Sequence, residues 1–501
     1  MGSHMEKRPE ISTSERVVVV LMVPLPAQGH LNQLIHLSRL LLSAGDHVQV
    51  HFACSATHNR QAKLRVHGWD VPNSSSKLVL HFHDLPFPTD IPTPPPDPSS
   101  PLKFPAHLQP TFDAAVTHLR LPLAALLRSL SATARRVAVV HDSLMSFVAE
   151  DAAGVPNAEA YAFHSASAFA TFGFFLEYSM APVDKKLLVD INVPQKLKQI
   201  YLSSPSPPLK TCFTDAFLEL IRTQVSYLRY DVGEIYNTCE AIEGDFLDCL
   251  SREPFGSGAS LTWAIGPLNS IAAAVDDKDR HECMEWLDRQ PPGSVLYVSF
   301  GTMTSMSVEQ VKELAKGLRD SQQRFLWVLR DADTGDIFSK NKLQESTPLL
   351  LLPEGFEEEE EEAEEGMGSM GMVLRGEWAP QVAILGHRAT GGFMTHCGWN
   401  SSMESMSAGV AVVAWPMASD QPWNATLLTD VLGMGVSLRD WAKWDQVVPA
   451  ADIEAAVRRL MESEEGKDIR KRAAEVGVAV RAASVAQEYK HAWYSNNENS
   501  N

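Results

Sequence analysis

Short apolar runs alternate with amphipathic stretches from the beginning of the chain. The β-branched run at 16–23 has the length of a strand, and a turn rich in Pro and Gly follows at 24–29. Apolar positions then recur at helical spacing, which predicts an amphipathic helix over 31–43, and the next strand is predicted over 47–53. Strand, turn, helix and strand in this order indicate a parallel sheet with helices packed on it.

A second series of the same kind begins after the middle of the chain. It consists of a strand at 294–300, a helix over 307–318 and a strand over 325–329. Between the two series, the stretch 266–280 loses its periodicity and contains Pro, Ala and Asp residues, which is typical of a linker. The pattern predicts an α/β fold of two facing, doubly wound, Rossmann-like domains that bind ligands at the carboxyl ends of their strands.

Three further segments stand out by composition. Residues 80–110 are rich in Pro and are expected to form a long surface loop. Residues 357–365 form an acidic run with one Ala, for which a solvated loop is favoured over an interaction tail. Residues 453–483 are predicted to be an amphipathic helix, and the polar residues 496–501 are expected to be disordered.

The charge balance argues against several classes of partner. The 501 residues carry a formal net charge of −19 and no cluster of Lys and Arg, so we expect no nucleic-acid or anionic-membrane partner. The first apolar run, 17–25, is interrupted by Pro24 and is too short to insert into a bilayer. The six Cys residues show no repeating spacing, which indicates a reducing, cytoplasmic location without a disulfide framework. We expect a monomer.

The segment 378–421 concentrates side chains that suit a phosphorylated ligand. A strand end is predicted to turn into a helix at 395–405, where Gly398 permits a tight turn and Asn400 and Ser401 occupy positions typical of a helix N-cap. Helix N-termini present free N–H groups and a partial positive charge, so a pyrophosphate fits there without a metal. His396 can donate to the same phosphate, and Glu404, one turn further on, can accept from ribose hydroxyls.

Three more side chains complete the pattern of this segment. Trp378 is suited to stack on a flat base, and Asp420 with Gln421 can hydrogen-bond to adjacent sugar hydroxyls. Each feature taken alone fits a packing residue or an ordinary capped helix, whereas their joint spacing favours a nucleotide-sugar site. Upstream, Gly301 and Thr302 follow a predicted strand, where the Thr hydroxyl can reach a phosphate and a plain strand-to-helix turn is the alternative.

The segment 378–421 resembles the signature of the plant UDP-sugar-dependent glycosyltransferases. The resemblance implies a GT-B fold, UDP-glucose as co-substrate, no cofactor and no metal, and the final Gln indicates glucose with UDP-xylose as the alternative. In that family Trp378 would stack on uracil, Gln381 would lie near the nucleoside and Glu404 would hold the ribose. The donor-binding positions that it implies are Thr302, Trp378, Ala379, Gln381, His396, Trp399, Asn400, Ser401, Glu404, Asp420 and Gln421.

The resemblance also gives the predicted segments their roles. Residues 1–5 are a tag remnant, residues 6–260 an N-terminal acceptor-binding domain and residues 261–280 a linker. Residues 281–475 are a C-terminal UDP-sugar-binding domain. Residues 476–501 are a C-terminal helix that returns towards the first domain and ends in a disordered tail.

His30 and Asp142 follow predicted strands of the first series, so both are expected at the ligand-binding edge of the sheet. An Asp that binds one imidazole nitrogen leaves the other free to accept a proton from an alcohol. A lone His at such a turn also fits a cap or a packing residue. The sequences PLPAQGH at 24–30 and HDSLM at 141–145 resemble the family's catalytic turns, which implies that His30 is the general base, that Asp142 orients it and that the anomeric configuration inverts. His141 would point to the opposite side of the strand.

The acceptor pocket is expected to come from loops of the N-terminal domain. Its predicted walls are aromatic, at Phe87, Phe163, Phe169 and Phe172, with core packing as the alternative for more than half of the Phe cluster. Asn32-Gln33, where most relatives have Pro nearby, and the stretches 235–244 and 327–338 are similar to the zeatin O-glucosyltransferases, and most of all to their cis-zeatin branch.

This similarity implies a cytokinin acceptor. A flavonoid, another phenol or a different hormone is the alternative acceptor, and a nucleotide-sugar-binding protein without turnover is the alternative of a different class. Asp331 and Asp333 resemble the metal-binding Asp-x-Asp of another glycosyltransferase fold, but this conflicts with a phosphate site at a helix N-terminus. His81 and His83 alternate along a strand and are expected to be exposed side chains, so no metal site is predicted.

Overall fold

The computed structural model describes residues 17–43, 45, 47–64, 66, 79–91, 106–179, 207–251, 261–268, 281–304, 306–329, 370–376 and 378–497, with side chains described up to 177 and 484 in the two helices that end at 179 and 497. Several predictions lie outside these residues. They are the tag remnant, most of the linker, the Asp-x-Asp motif, the acidic run and the C-terminal end, at 1–5, 269–280, 331–333, 357–365 and 498–501.

The first domain is built on a seven-stranded parallel sheet with the order β3-β2-β1-β4-β5-β6-β7. Its strands are β1 (Val18–Val23), β2 (Val48–Ser55), β3 (Leu80–Leu85), β4 (Arg136–Asp142), β5 (Ala158–His164), β6 (Gly233–Tyr236) and β7 (Leu261–Ala264). Its α-helices among the described residues are α1 (Gln28–Leu42), α2 (Ala56–Lys63), α3 (Gln109–His118), α4 (Arg120–Ser131), α5 (Phe147–Ala153), α6 (Ala168–Ser179), α7 (Leu209–Cys212), α8 (Asp215–Val225) and α9 (Glu240–Leu250).

The second domain is built on a six-stranded parallel sheet with the order β10-β9-β8-β11-β12-β13. Its strands are β8 (Val295–Ser299), β9 (Arg324–Leu329), β10 (Gly371–Arg375), β11 (Thr390–Thr395), β12 (Val412–Ala414) and β13 (Gly435–Ser437). Its α-helices among the described residues are α10 (Glu282–Asp288), α11 (Val308–Asp320), α12 (Gln381–Leu385), α13 (Trp399–Ala408), α14 (Gln421–Thr426), α15 (Ala450–Met461) and α16 (Glu464–Asn497).

The central strands are buried on both faces, which is why they appear in the sequence as continuous apolar runs. All five residues of β8 are buried, as are the last five residues of β1. The helices between parallel strands cover both faces of each sheet, and this places the loops that follow the strands along one edge. In the first domain that edge carries the residues that follow β1, β4, β5 and β6.

Three sequence predictions on elements are wrong in detail. Residues 80–85 form strand β3 at the edge of the first sheet and 109–118 form helix α3, so the predicted loop 80–110 is shorter at both ends. The predicted linker begins with β7, which pairs with β6 in the first sheet. The helix predicted over 453–483 is two helices, α15 and α16, and α16 packs against α13 of the second domain and α9 of the first.

Candidate active site

His30 and Asp142 form a side-chain pair at the carboxyl edge of the first sheet. His30 lies in the first turn of α1, directly after β1, and Asp142 is the last residue of the adjacent strand β4. The Nδ1 atom of His30 lies 2.6 Å from Oδ2 of Asp142. The sequence analysis predicted that these two side chains would meet, and the parallel pairing of β1 with β4 is what aligns their ends.

Asp142 is held by three hydrogen bonds. Besides the contact with His30, it accepts a bond of 2.7 Å from the Ser165 hydroxyl at Oδ2 and a bond of 2.9 Å from the Leu144 backbone N–H at Oδ1. Burial disfavours the charge of this carboxylate, yet His30 and the three hydrogen bonds lower the pKa of Asp142 below its ordinary value. Burial equally disfavours a charged imidazole, but the Asp142 carboxylate prevails and raises the pKa of His30. The pair therefore stabilises a proton that arrives on His30.

Two clefts meet at His30. One measures about 500 Å³ and is lined by residues of both domains, and the other measures about 380 Å³ and is lined mostly by residues of the first domain, with Ser419 and Asp420 of the second. Among the described residues, the two clefts share His30, Ser165, Ser419 and Asp420. We call the first the donor cleft and the second the acceptor cleft, after the roles that the sequence predicts for this part of the molecule. A group bound in one cleft can therefore touch a group bound in the other at the imidazole of His30.

The residues that were predicted to bind the donor line the donor cleft. Trp378 lies at its rim and is 53% exposed. The eleven predicted positions that line the cleft are Thr302, Trp378, Ala379, Gln381, His396, Trp399, Asn400, Ser401, Glu404, Asp420 and Gln421.

The start of α13 lies against this cleft, but its cap differs from the prediction. Gly398 occupies the N-cap position and no side chain caps the helix, so Asn400 and Ser401 lie in the first turn. Buried His396 precedes this turn, and burial lowers its pKa to about 4, so the ring is neutral. Its Nδ1 atom has no hydrogen-bond partner in the described part of the chain, which fits a group that serves a ligand.

Gly301 brings the backbone after β8 against the ring of His396. Its φ of 72° lies in the left-handed region, and a Cβ atom at this position would lie 2.7 Å from Cε1 and Nε2 of His396. Only Gly fits both constraints without displacing the imidazole. Thr302, the next residue, consequently lines the cleft beside His396.

The residues that the sequence predicts to lie near the nucleoside are connected to one another by hydrogen bonds. The Gln381 amide Nε2 donates to Oε2 of Glu404 at 2.6 Å and to the Ser401 hydroxyl at 3.0 Å, and its Oε1 accepts from the Tyr297 hydroxyl at 3.2 Å. The Glu404 carboxylate is thus held in one place, as a group that is to bind two vicinal hydroxyls requires.

Other predicted donor residues carry contacts between the two domains. The Asn400 amide donates to the carbonyl of Gly29 at 3.0 Å, and the Trp399 indole donates to the carbonyl of Asn237 at 3.0 Å. Trp399 is only 3% exposed. The first turn of α13 therefore fixes the second domain against the turn that carries His30.

Asp420 and Gln421 lie at the junction of the two clefts. Burial raises the pKa of Asp420, while hydrogen bonds from the Asn424 amide at 2.9 Å and the Ser419 hydroxyl at 3.2 Å favour its charged form. Gln421 is buried, and its Oε1 accepts from the backbone N–H groups of Met417 and Ala418. This arrangement leaves the Nε2 end of the Gln421 amide as its donor.

The acceptor cleft has walls other than those predicted. Phe163, Phe169 and Phe172 are buried in the core, at 0%, 2% and 0% exposure, and Phe87 packs edge-on against His58. None of these four lines the cleft, because Phe163 belongs to a strand covered on both faces and α6 turns Phe169 and Phe172 towards Phe246. Among the described residues its aromatic lining is Phe112, Phe174, Phe175, Phe213 and Phe217.

His141 forms a second His–Asp pair on the other side of β4. Its Nε2 atom lies 2.8 Å from Oδ1 of Asp231, and both side chains are fully buried. His141 lines neither cleft. The alternation of side chains along a strand, from which its structural role was predicted, separates it from His30.

Sequence reasoning missed several residues of the site. Ser165 follows β5 and binds Asp142, and Asn424 binds Asp420 while accepting from the Ser167 hydroxyl at 2.7 Å. The position of Ser165 directly after a strand is a signal that could have found it. Asn424 lies inside α14, where the sequence gives no such signal.

In the part of the chain that the structure describes, no group of three or more His, Cys, Asp and Glu side chains is arranged to hold a metal ion. No helix within the same residues has the length and apolar content needed to cross a membrane. All six Cys residues are buried, and none forms a disulfide bond in the structure.

Two family models match successive parts of the chain. Residues 15–270 match the glycosyltransferase N-terminal domain, and residues 267–472 match the UDP-glucoronosyl and UDP-glucosyl transferase model. The chain belongs to the UDP-glycosyltransferase family. This enzyme family was predicted from the segment 378–421, and the two matches together span the first domain, the second domain and the start of α16.

Curated relatives align with this glycosyltransferase over nearly its whole length. It is 45% identical over 470 residues to a zeatin O-glucosyltransferase of Phaseolus lunatus, covering 93% of each chain. It is 46% identical to a zeatin O-xylosyltransferase of Phaseolus vulgaris, covering 92% of each chain, and 43% identical to cis-zeatin O-glucosyltransferase 2 of Zea mays, covering 94% of this chain and 95% of that one. The predicted resemblance to zeatin O-glucosyltransferases, the cis-zeatin branch included, is confirmed.

A solved relative has the same architecture. The UDP-glucosyltransferase of Polygonum tinctorium that is capable of glucosylating indoxyl superposes with a TM-score of 0.69 at 30% identity, and the alignment covers 95% of this glycosyltransferase and 98% of that chain. The two facing, doubly wound domains are the GT-B fold, as predicted.

Proposed function

We propose that this glycosyltransferase transfers glucose from UDP-glucose to the side-chain hydroxyl of a zeatin, with inversion at the anomeric carbon. The observation that carries the proposal is the junction of the two clefts at His30, where an acceptor hydroxyl and a donor sugar can meet beside one imidazole. The names of the aligned relatives support zeatin as the acceptor.

His30 serves as the general base in this proposal. Its Nδ1 donates to Asp142, so Nε2 carries the lone pair that accepts the proton of the acceptor hydroxyl. As that O–H bond breaks, the oxygen attacks the anomeric carbon from the face opposite UDP. The bond from the anomeric carbon to the phosphate oxygen breaks, and its electron pair leaves with UDP. Asp142 stabilises the imidazolium that forms, and the proton later passes from His30 to solvent.

The second domain holds the donor in place. The N–H groups at the start of α13, together with neutral His396 and Thr302, supply hydrogen bonds and a partial positive charge for the diphosphate. Trp378 stacks on the uracil, Glu404 binds the ribose hydroxyls, and Asp420 with Gln421 binds the sugar hydroxyls. These groups need no metal or cofactor, so we expect the reaction to proceed without either.

The shape and polarity of the acceptor cleft suit a small, flat, mostly apolar alcohol. Its walls are formed by Phe and Leu side chains, and its polar groups include His30, His164 and Glu177. A purine ring with an apolar side chain that ends in a hydroxyl has this distribution of polar and apolar surface. A monomer that acts in the cytoplasm on a diffusible substrate is the setting we propose.

UDP-xylose is the second donor to consider, because a relative that is 46% identical is a zeatin O-xylosyltransferase. Glucose differs from xylose by one hydroxymethyl group, and the preference depends on whether the site hydrogen-bonds that hydroxyl, since an enzyme discriminates a bound hydroxyl far more strongly than a single methylene. We propose glucose as the preferred sugar on the basis of Gln421 and the first relative above.

Mass spectrometry of reaction products tests the proposal. The protein is incubated with UDP-glucose or UDP-xylose and an equimolar mixture of cis-zeatin, trans-zeatin and a flavonol, in EDTA. We expect a zeatin O-glucoside as the main product, and the isomer consumed identifies the branch. A flavonol glucoside alone would overturn the acceptor, a xyloside in excess would overturn the donor, and no product from any pair would overturn the proposed activity.

A further inference from the structure

Gln33 is a buried polar residue whose role the proposed mechanism does not include. It lies on α1, three positions after His30, and is only 2% exposed. Residues three apart on a helix share a face, so Gln33 and His30 approach the same edge of the sheet. In the sequence, Asn32-Gln33 was noted only for its similarity to the zeatin O-glucosyltransferases.

Both ends of the Gln33 amide are bound inside the first domain. Its Nε2 donates to the backbone carbonyl of Ser165 at 3.0 Å, and its Oε1 accepts from the Asn237 amide at 3.0 Å. Ser165 follows β5 and Asn237 follows β6, so one side chain of α1 is bound to the ends of two strands. Fully bound buried amides fix the relative position of the elements that they join.

The bond to Ser165 closes a ring of contacts around the proposed base. Ser165 donates its hydroxyl to Oδ2 of Asp142 at 2.7 Å, the same oxygen that lies 2.6 Å from His30. The ring runs from His30 to Asp142, to Ser165, to Gln33 and back along α1 to His30. A shift of α1 along the sheet edge would therefore change the distance between His30 and Asp142.

The bond to Asn237 connects this ring to the donor cleft. The carbonyl of Asn237 accepts from the indole of Trp399 at 3.0 Å, and its Oδ1 accepts from the backbone N–H of Leu268 at 3.0 Å. Asn237 is fully buried. Trp399 begins α13, whose first turn lies at the donor cleft, so Gln33 is two hydrogen bonds away from the second domain.

We propose that Gln33 is a positioning residue, which fixes α1 against the ends of β5 and β6 and so sets the geometry between His30 and Asp142. The inference rests on the proposed role of His30 as the base. Gln33 lines the donor cleft and touches neither reacting group in this proposal, so its effect passes through the placement of α1.

The test is the pH dependence of kcat/KM for Gln33→Met, which keeps the size of the side chain and removes both hydrogen bonds. We expect kcat to fall about 10–100-fold, as small misplacements of catalytic groups do. Because Asp142 raises the pKa of His30, a loosened pair should also move the acid limb of kcat/KM to lower pH. The matched control is Ser38→Ala, another buried polar residue of α1, which donates only to Leu34 on its own helix.

Ser38→Ala should lower the Tm while leaving kcat and the acid limb unchanged. The inference is overturned if a folded Gln33→Met protein has a kcat within twofold of that of the parent and an acid limb at the same pH. It is also overturned if Ser38→Ala loses as much kcat as Gln33→Met. If Gln33→Met fails to fold, Gln33→Leu replaces it, because this change also removes both hydrogen bonds without adding a charged or titratable group, and it has the same expected and contrary results. Full turnover by His30→Ala would instead overturn the proposed function, whatever Gln33→Met does.

Discussion

At the scale of single residues, Asp142 is the group on which the proposed base depends. It is fully buried and bound by His30, Ser165 and the backbone of Leu144, and these contacts keep it charged in spite of its burial. A buried carboxylate in this position costs desolvation free energy, which its hydrogen bonds and the nearby imidazole offset. The carboxylate lies next to a cleft, which fits the role in catalysis that we propose for it.

Replacing Asp142 with Asn should therefore reduce turnover without removing the donor site. The amide is nearly isosteric but cannot stabilise an imidazolium, so we expect kcat to fall by roughly 10²–10⁴-fold, the range typical of general-base catalysis. The acid limb of kcat/KM should move to lower pH, since the carboxylate raises the pKa of His30. Steady-state rates between pH 5 and 9 measure both effects.

The chain offers a matched control in its second His–Asp pair. Asp231→Asn removes the carboxylate that binds His141 on the other side of the same strand. This change should lower the Tm but leave the acid limb where it is. If both variants move the acid limb equally, the special role of Asp142 is refuted.

The imidazoles of His51, His81 and His83 stack at the edge of the first sheet and give a prediction on stability. Burial and then the two neighbouring imidazoles lower the pKa of His51 from 6.5 to about 4. Between these pH values the unfolded chain binds the proton more readily than the folded one, so the free energy of unfolding should fall as pH falls from 6.5 towards 4.

Over this pH range the free energy of unfolding of His51→Gln should fall less than that of the parent, by on the order of 1–3 kcal/mol, because the Gln side chain does not titrate. Denaturant unfolding at pH 7, 6 and 5 measures the difference. Exposed His47→Gln is the control and should behave like the parent. An equal loss of stability in the parent and in His51→Gln would show that the stacked imidazoles do not govern the acid sensitivity.

The sequence identified the residues whose positions follow from strand ends and motif spacing. His30, Asp142 and most of the predicted donor positions in 378–421 lie where parallel strands end or in the first turn of the helix that follows, which is a local property. The walls of the acceptor cleft depend on which face of α6 is turned inward and on α3 and α8, which come from distant parts of the chain. That is why Phe169 and Phe172 were mistaken for wall residues while Phe174 and Phe175 line the cleft.

At the scale of elements, the contact between α6 and α14 joins the two domains beside the site. Phe174 packs edge-on against Trp423, with 4.8 Å between the centres of the two rings, and Gly173 faces the same indole. A Cβ atom on Gly173 would lie 2.6 Å from Nε1 and 2.9 Å from Cδ1 of Trp423. Trp423 follows Gln421 by two positions in α14, so any displacement of its ring acts on a proposed sugar contact.

Gly173→Ala should therefore act both on stability and on donor binding. Overpacking of this kind costs about 1–3 kcal/mol, and we expect the KM for UDP-glucose to rise more than the KM for the acceptor. Gly244→Ala is the control, because its Cβ atom would lie 3.8 Å from the nearest atom, in ordinary contact. Unchanged Tm and donor KM in Gly173→Ala would mean that α6 does not support α14.

The elements themselves were predictable where local pattern decides them. The apolar runs of β1, β2, β8 and β9 were placed to within a few residues, because strands covered on both faces leave continuous apolar sequence. Strand β3 lies inside the predicted loop 80–110, although the alternation of His81 and His83 had indicated a strand there. Its position at the sheet edge and its polar residues leave no continuous apolar run in the sequence. Pairing with β2, rather than its own composition, makes it a strand.

At the scale of the whole molecule, the two domains are joined by buried hydrogen bonds that converge on the site. Besides the contacts of Asn400 and Trp399, the backbone N–H of Ser419 donates to the carbonyl of Cys212 at 3.0 Å. Ser419 has a φ of 61°, a rare value for a residue other than Gly, and it lines both clefts. Such strained turns persist where surrounding contacts hold them.

The sequence predicted two domains and their order but not these contacts. Repeated strand–helix series predict two sheets, whereas the partner of each interface residue depends on how the completed domains pack. The domain boundaries remain predictions, apart from the linker, whose start is moved by β7.

The proposed role of His30 as general base is tested most directly by the turnover of His30→Ala with UDP-glucose and the zeatin isomer that the product analysis identifies. We expect a kcat roughly 10²–10⁴-fold below that of the parent, with the affinity for UDP unchanged, because in the proposed mechanism His30 removes the proton while the second domain holds the nucleotide. Turnover near the parental rate would contradict it and would show that the junction of the two clefts works without the imidazole.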